Sequence, residues 1–275
     1  MEISSILRNR CYDVTNGIYF FDEDEKKARE FDIEAIPSLD AILSRFESDM
    51  WFFSPFVLIE CKKSRAYSWV FFNSEPVNLF FDIGHSIDIL TEKFGYDKSI
   101  CYEILCNKGL HYHRDDANFA SAYQQIKVGD GARNEQDGKD SILDAVSKVT
   151  KFTNHRFRHL KRFFAEDPIR RDVIFHFPIV VFDGDLYEAS FDKTLELKEC
   201  RHIIYETRYV SDLSGSLEIM YIDVIRKDAL EGILSVIERE IISINEDLSK
   251  PEIQKQLSEI FKERNTQKQR GNATA

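Results

Sequence analysis

Two short runs of sequence decide the fold: residues 57–63 read VLIECKK and residues 29–35 read REFDIEA. Each run predicts a β-strand that carries acid where a buried strand would carry apolar side chains. Side chains two apart on a strand share a face, so Glu60 and Lys62 point the same way. Asp32 lies in the preceding strand. Two carboxylates and one ammonium group at a sheet edge can hold a divalent cation and position a water molecule.

The composition sets limits on the class of protein. The chain has 275 residues, which suits one large domain or a domain with an appendage, and 43% of them are apolar, enough for a substantial core. The formal net charge of −11 argues against a general nucleic-acid coat protein but leaves room for an enzyme with a local basic groove. Five scattered cysteines suit reduced thiols. Since neither a membrane-spanning run nor a signal-peptide layout is found, we expect a cytoplasmic protein without a membrane partner.

The order of the predicted elements indicates an α/β protein. The first part of the chain predicts a helix at 2–13, strands at 17–21 and 28–36, a helix at 39–47, and strands at 56–61 and 68–72. The second part predicts a helix at 141–164, strands at 172–182, 186–191, 201–210 and 217–225, and a helix at 227–246. We expect a core over 1–195 with a polar, partly ordered insertion at about 108–140, C-terminal strands and helices over 196–264 packed on that core, and a disordered tail over 265–275.

The two acidic runs, followed by the aromatic strand that contains Trp69, resemble the PD-(D/E)xK nuclease superfamily, which has the restriction-endonuclease-like fold. The helix–strand–strand–strand opening and the later helix 141–164 and strand 172–182 match that family's core over roughly residues 1–190. The proline that often precedes the first acid is absent. The resemblance implies a mixed central sheet flanked by helices, with the C-terminal part as an α/β embellishment.

The same resemblance implies a reaction and a set of site residues. Asp32 and Glu60 would bind Mg²⁺ or Mn²⁺, helped by the backbone carbonyl of Cys61, and Lys62 would activate the attacking water or stabilise developing charge. Because relatives often carry a further acid on the first helix, Glu2 is a candidate ligand. The implied reaction is hydrolysis of nucleic-acid phosphodiester bonds, in DNA rather than RNA. A metal beside an ammonium group suits that chemistry, because both stabilise negative charge on a phosphodiester.

The helix predicted at 141–164 carries a second signal. Ser141 and Asp144 fit a capping box at its start. Basic side chains then recur at spacings of three and four, so they line one face: Lys148, Lys151, His155, Arg158 and Arg162. This face predicts either contact with a nucleic-acid backbone or an ordinary solvated helix surface, and the sequence leaves both open.

Two alternative functions remain at this point. The chain could be a nucleic-acid- or protein-binding module on the same fold without turnover. His111 and His113 lie in a run, HYHRDD, that approaches the HxHxDH motif of metallo-β-lactamase-like hydrolases, so a zinc hydrolase is a further alternative, although a surface loop is the simpler interpretation.

The last long helix has a broad apolar face, which predicts packing on the core or a homodimer interface. Its residues are Leu230, Ile233, Leu234, Ile237, Ile241 and Ile244.

Overall fold

The computed structural model of the chain describes residues 2–38, 52–74, 87–91, 118–128, 141–164, 171–191, 194–210, 217–253 and 255. The helices are α1 (Glu2–Asn9), α2 (Ser141–Phe164) and α3 (Leu230–Leu248), and a short 3₁₀ helix (Lys227–Ala229) precedes α3. The strands are β1 (Tyr12–Asp22), β2 (Lys27–Pro37), β3 (Phe52–Lys63), β4 (Tyr67–Asn73), β5 (Ile87–Thr91), β6 (Phe119–Lys127), β7 (Arg171–Asp183), β8 (Leu186–Phe191), β9 (Leu195–Glu199), β10 (His202–Val210) and β11 (Leu217–Arg226).

These strands form one mixed sheet in the order β1-β2-β3-β7-β11-β10-β6-β4-β8-β9, with β5 pairing with β7 off this path. Strands β1, β2 and β3 alternate in direction, whereas β3, β7 and β11 are parallel. The expected α/β class is therefore confirmed. Strands β10 and β11 of the C-terminal part are interior members of the sheet, because β11 pairs directly with β7 and β10 lies between β11 and β6. The expected division after residue 195 does not coincide with a break in the sheet.

Helices α1 and α3 share a face of the sheet and a core cluster. Leu230, Leu234, Ile237 and Ile241 of α3 are buried against apolar residues of β2, β3 and β7. The apolar face predicted for this helix is thus used inside the chain, which favours core packing over the homodimer interface. The side chain of Ile244 lies outside the described residues. Within the described ranges, no helix is both long and apolar enough to cross a membrane.

Helix α2 packs against the other face, and the sheet curves around it. Phe152 of α2 contacts Phe20 of β1 at a ring-centroid distance of 5.4 Å, while Asn154 accepts a hydrogen bond from Tyr209 of β10 at 3.4 Å. In a flat sheet, β1 and β10 would lie about 24 Å apart, about twice the width of a helix. Because one helix contacts both strands, the sheet must bend toward α2. The cluster around α2 accordingly contains residues from both halves of the sheet.

Several sequence expectations differ from the structure. Strand β6 runs through the stretch expected to be a polar insertion and pairs with β4. The sequence pattern does not predict this strand, because most of its side chains remain in contact with water. The edge strand β9 is exposed along its whole length and was missed for the same reason. Helix α1 ends earlier than expected, just before Cys11, which has a φ of 63°. The predicted helix at 39–47 and the tail at 265–275 lie outside the described residues.

Candidate active site

The two predicted acids lie on neighbouring strands at adjacent positions. Ile33 of β2 pairs with Ile59 of β3, so the next positions along this antiparallel register are Asp32 and Glu60. The Oδ2 atom of Asp32 accepts a hydrogen bond of 2.7 Å from the backbone N–H of Cys61. This bond joins β2 to β3 just beyond their paired residues. It holds the Asp32 carboxylate against the backbone of the strand that carries Glu60.

A local irregularity in β2 explains why the Asp32 carboxylate can reach β3. Phe31 and Glu34 are three positions apart, yet both contact side chains of α2. On a regular strand they would face opposite sides of the sheet, so the alternation is broken between them, where Asp32 lies. Gly17 of β1 lies opposite Asp32 and has a φ of +61°, a left-handed conformation that favours glycine.

Glu60 is the most buried charged group of the site. Its side chain is 0% exposed, and its Oε1 atom lies 2.8 Å from Lys62 Nζ and 2.9 Å from Lys148 Nζ. Its Oε2 atom is buried and has no hydrogen-bond partner within the part of the chain that the structure describes. Burial raises the pKa of Glu60; Lys62 and Lys148 oppose that effect, the charge of Asp32 adds to it, and the net shift is upward. One carboxylate oxygen is therefore heavily contacted while the other is open to a further partner.

Lys62 is fixed between two carboxylates. Besides its ion pair with Glu60, its Nζ atom donates a hydrogen bond of 2.8 Å to Asp144 Oδ2. Burial by itself lowers the pKa of Lys62, but Glu60 and Asp144 outweigh burial, so the net pKa lies above its usual range. Lys62 is therefore an ammonium ion at neutral pH. For Asp144, burial acts to raise the pKa, but the hydrogen bond and the charge of Lys62 outweigh burial, so the net pKa lies below its usual range.

The thiol of Cys61 is not a nucleophile in this site. Burial raises the pKa of the thiol to about 12, and the charges of Asp32 and Glu60 add to that shift. Since the thiolate is the reactive form, Cys61 is unreactive at neutral pH. What Cys61 offers the site is its backbone.

The start of α2 is anchored by strands β4 and β6. The side-chain carbonyl of Gln125 accepts hydrogen bonds from the Ser141 backbone N–H at 3.2 Å and from its hydroxyl at 2.8 Å. Trp69 Nε1 donates to the same hydroxyl oxygen at 3.2 Å. Gln125 therefore accepts the hydrogen bond from the Ser141 backbone N–H that the predicted capping box assigned to Asp144. This leaves the Asp144 carboxylate to bind Lys62.

The predicted basic face of α2 is not a row of unpaired cations. Lys148 binds Glu60, and Lys151 Nζ lies 2.9 Å from Asp22 Oδ2 and 3.3 Å from Glu25 Oε1 in the β1–β2 hairpin. These two lysine side chains are only 22% and 23% exposed. Arg29 joins the two groups of charges, because it binds Asp22 and Glu25 and lies 4.0 Å from Asp144. A connected ion-pair network therefore runs along α2.

A cavity of about 430 Å³ lies beside this network, between the β1–β2 hairpin, α2 and β10. Its lining includes three residues of the predicted basic face, Lys151, His155 and Arg158, and the aromatic rings of Phe21 and Tyr209. Binding pockets commonly have volumes of about 300–1,000 Å³. The side chain of Arg162 lies outside the described residues.

Glu2 does not join the predicted site. Its carboxylate is 69% exposed and lies 2.6 Å from Lys227 Nζ. It lines a separate recess with Asp183 and Gly184, and α1 packs on the sheet face opposite α2. The candidate ligand role for Glu2 is therefore corrected: a position at the very start of α1 directs this side chain to Lys227. His111 and His113 of the zinc alternative lie outside the described residues.

The donors of the site fit a hard divalent cation. Within the described ranges, no three His, Cys, Asp or Glu residues are grouped as metal ligands. The protein ligands would be Asp32, the open oxygen of Glu60 and the carbonyl of Cys61. Such an all-oxygen set, completed by water and substrate phosphate, is typical of Mg²⁺ and Mn²⁺ sites rather than of zinc sites.

The structure brings together Asp32, Glu60 and Lys62, which the sequence singled out, and adds Asp144 and Lys148 from α2. One signal could have identified Asp144 beforehand: it is the one acid in the otherwise basic sequence of α2. Comparisons of the chain with protein-family models, with curated proteins and with solved structures find no match.

Proposed function

We propose that this protein is a metal-dependent phosphodiesterase that hydrolyses nucleic acid on a restriction-endonuclease-like fold. With strands β4, β5 and β6 set aside as additions between β3 and α2, the order of α1, β1, β2, β3, α2 and β7 agrees with the helix–strand–strand–strand–helix–strand core of that fold. The mixed sheet, with helices on both faces, also supports this assignment. Asp32 on β2, and Glu60 and Lys62 on β3, match the D and ExK residues of the PD-(D/E)xK motif.

The observation that carries the proposal is the asymmetry of the Glu60 carboxylate. One oxygen is contacted by two ammonium groups, and the other is buried without a partner in the described part of the chain. Leaving a buried acceptor unsatisfied costs about 1–3 kcal/mol, and more for a charged group. A divalent cation held between this oxygen and Asp32 would remove that cost. A carboxyl group with a purely structural role would gain nothing from the open oxygen.

The side chains then have separate tasks. A bound Mg²⁺ ion would polarise the phosphoryl group and lower the pKa of a bound water. Lys62, kept protonated by its two carboxylate neighbours, stabilises the negative charge that develops on the phosphodiester oxygens. Its raised pKa makes it a poor general base. Asp144 helps to orient the Lys62 ammonium by accepting a second hydrogen bond from it.

DNA is the first substrate to test. Lys151, His155 and Arg158 border the cavity one to three helical turns beyond Lys148, where a bound strand could continue past the site. Contacts of this kind would contribute affinity without sequence specificity. A role for these residues in DNA binding remains a prediction.

A second candidate is a non-catalytic binding module on the same fold. The observation that favours it is that Lys62 and Lys148 already compensate the charges of Glu60 and Asp144 without a cation. A chain that had lost turnover could keep such a network for stability.

The two candidates are separated by a cleavage assay. Purified protein is incubated with plasmid and with single-stranded DNA in Mg²⁺ or Mn²⁺, beside Asp32→Ala and Lys62→Ala. We expect metal-dependent cleavage by the wild type that is lost in both variants while they remain folded. Absence of cleavage with every metal, together with melting temperatures that metal does not change, would favour the non-catalytic module.

A further inference from the structure

Two lysines share one carboxylate oxygen in the candidate site. Lys62 Nζ lies 2.8 Å and Lys148 Nζ 2.9 Å from the same Oε1 atom of Glu60. Lys62 belongs to the motif on β3, whereas Lys148 comes from α2, 88 positions away from Glu60 in the sequence. The proposed reaction assigns a task to Lys62 but none to Lys148.

The two lysines differ in their second partners. Lys62 also donates to Asp144 Oδ2 at 2.8 Å, so it keeps a second carboxylate partner if a cation on Glu60 Oε2 weakens its ion pair with Glu60. Lys148 lies 3.9 Å from the same Asp144 oxygen, beyond hydrogen-bonding distance. A cation bound by Glu60 would therefore repel Lys148 without leaving it a comparable partner among these residues. Because the lysine side chain is long and flexible, its ammonium can turn away while α2 stays fixed at Ser141.

The charges of the site indicate what Lys148 would meet. Asp32, Glu60 and Asp144 carry three negative charges, and Lys62 and Lys148 carry two positive ones, while Arg29 is paired with Asp22 and Glu25 outside this group. A divalent cation changes the net charge of this group from one negative to one positive. A phosphodiester carries a single negative charge, so the metal-loaded group is matched to one phosphodiester.

We propose that Lys148 is a substrate-binding residue whose ammonium turns from Glu60 to a non-bridging oxygen of the scissile phosphodiester when a cation binds. This inference rests on the proposed function, since it requires the cation at Asp32 and Glu60. It gives α2 a direct part in the reaction. It also makes the affinity for nucleic acid dependent on the metal, because a cation on the second oxygen of Glu60 weakens the attraction of that carboxylate for Lys148.

The test measures binding without turnover. In a Lys62→Met background, the affinity for a short fluorescein-labelled single-stranded DNA is measured by fluorescence anisotropy with and without Mg²⁺, before and after adding Lys148→Met. We expect Mg²⁺ to strengthen binding in Lys62→Met, and Lys148→Met to remove about tenfold or more of that gain. The slope of log affinity against log salt concentration should fall by about 0.7, as for one lost phosphate contact.

Matched variants separate this role from a structural one. Lys63 follows Lys62 on β3 and forms an ion pair of 3.0 Å with Asp183, so Lys63→Met removes the same charge from a neighbouring position. This variant should leave the DNA affinity and the salt slope unchanged. Lys148→Gln keeps a hydrogen-bond donor for Glu60 without the charge, and should lose affinity as Lys148→Met does. The rise in melting temperature with Mg²⁺ should persist in both Lys148 variants, because neither removes a metal ligand.

Two results would overturn the inference in distinguishable ways. Unchanged DNA affinity and salt slope in both Lys148 variants, with a normal metal-induced rise in melting temperature, would make Lys148 a structural partner of Glu60 only. Absence of that rise in the wild-type protein would overturn the proposed metal site itself, and the role of Lys148 with it.

Discussion

The ammonium group of Lys148 lies 2.9 Å from Oε1 of Glu60, although the two residues are 88 positions apart in the chain. This contact joins α2 to β3, which is an interior strand of the sheet. Because Glu60 is fully buried, the contact lies where water screens charge poorly. The ion pairs around Glu60 therefore affect the stability of the fold as well as its chemistry.

Replacing Glu60 should destabilise the protein even in the absence of metal. Glu60→Gln keeps the size of the side chain but leaves Lys62 and Lys148 without their shared carboxylate. Breaking a buried ion pair typically costs about 3–5 kcal/mol, and we expect the lower end because Lys62 retains Asp144. Urea unfolding measures the loss. Glu196→Gln, on the exposed strand β9, is the control and should change stability by less than about 0.5 kcal/mol.

Asp22 should make the free energy of unfolding depend on pH in the acid range. Burial acts to raise its pKa, but hydrogen bonds from Lys151, the Glu25 backbone and Arg29 lower it from 3.8 to about 2. A carboxyl group with a depressed pKa stabilises the fold above its ordinary pKa, and this contribution is lost as pH falls through the folded value. Asp22→Asn should therefore lose about 2 kcal/mol at neutral pH. The difference from wild type should shrink below about pH 4 and vanish only below about pH 2 in a series of unfolding curves; a difference that is constant with pH would contradict this origin.

The stacking of Phe152 on Phe31 should be a main contact between α2 and the sheet. The two rings are 4.0 Å apart and nearly parallel, and both side chains are buried. Phe152→Ala should cost about 3–5 kcal/mol, because it removes buried apolar surface and leaves a cavity. Phe191→Ala is the matched control, since that ring is 76% exposed. Equal melting temperatures for the two variants would show that α2 does not depend on this contact.

Lys62 should act through its charge rather than as a proton acceptor. Its pKa lies above the usual range because Glu60 and Asp144 outweigh the effect of burial. Lys62→Met should lower the rate of DNA cleavage by about a hundredfold or more, while Lys62→Arg, which keeps the charge, should retain part of it. Cleavage rates near neutral pH provide the measurement. A neutral variant, Lys62→Gln, with the wild-type rate would contradict this role.

Local patterns predicted the elements that carry the site, but not the contacts between distant residues. The apolar run before Glu60 identified β3, and the helical spacing of α2 was equally clear. Strand β6 was hidden because most of its side chains face water. The partners of Lys148 and Lys151 could not be predicted from helix geometry, because the sheet bends around α2 and brings the carboxylates of β1 and β3 to lysines that looked solvent-facing. The irregularity of β2 at Asp32, opposite Gly17 of β1, is likewise not visible in the sequence of β2 itself.

The most direct test of the account is a calorimetric titration of the protein with Mg²⁺ and Mn²⁺, comparing wild type with Asp32→Asn, Glu60→Gln and Asp144→Asn. We predict that the wild type binds a divalent cation, that Asp32→Asn and Glu60→Gln abolish this binding, and that Asp144→Asn retains it because Asp144 contacts Lys62 rather than the cation. Wild-type protein that binds neither metal, or binding that survives Glu60→Gln, would contradict the assignment of the buried Glu60 oxygen as a metal ligand.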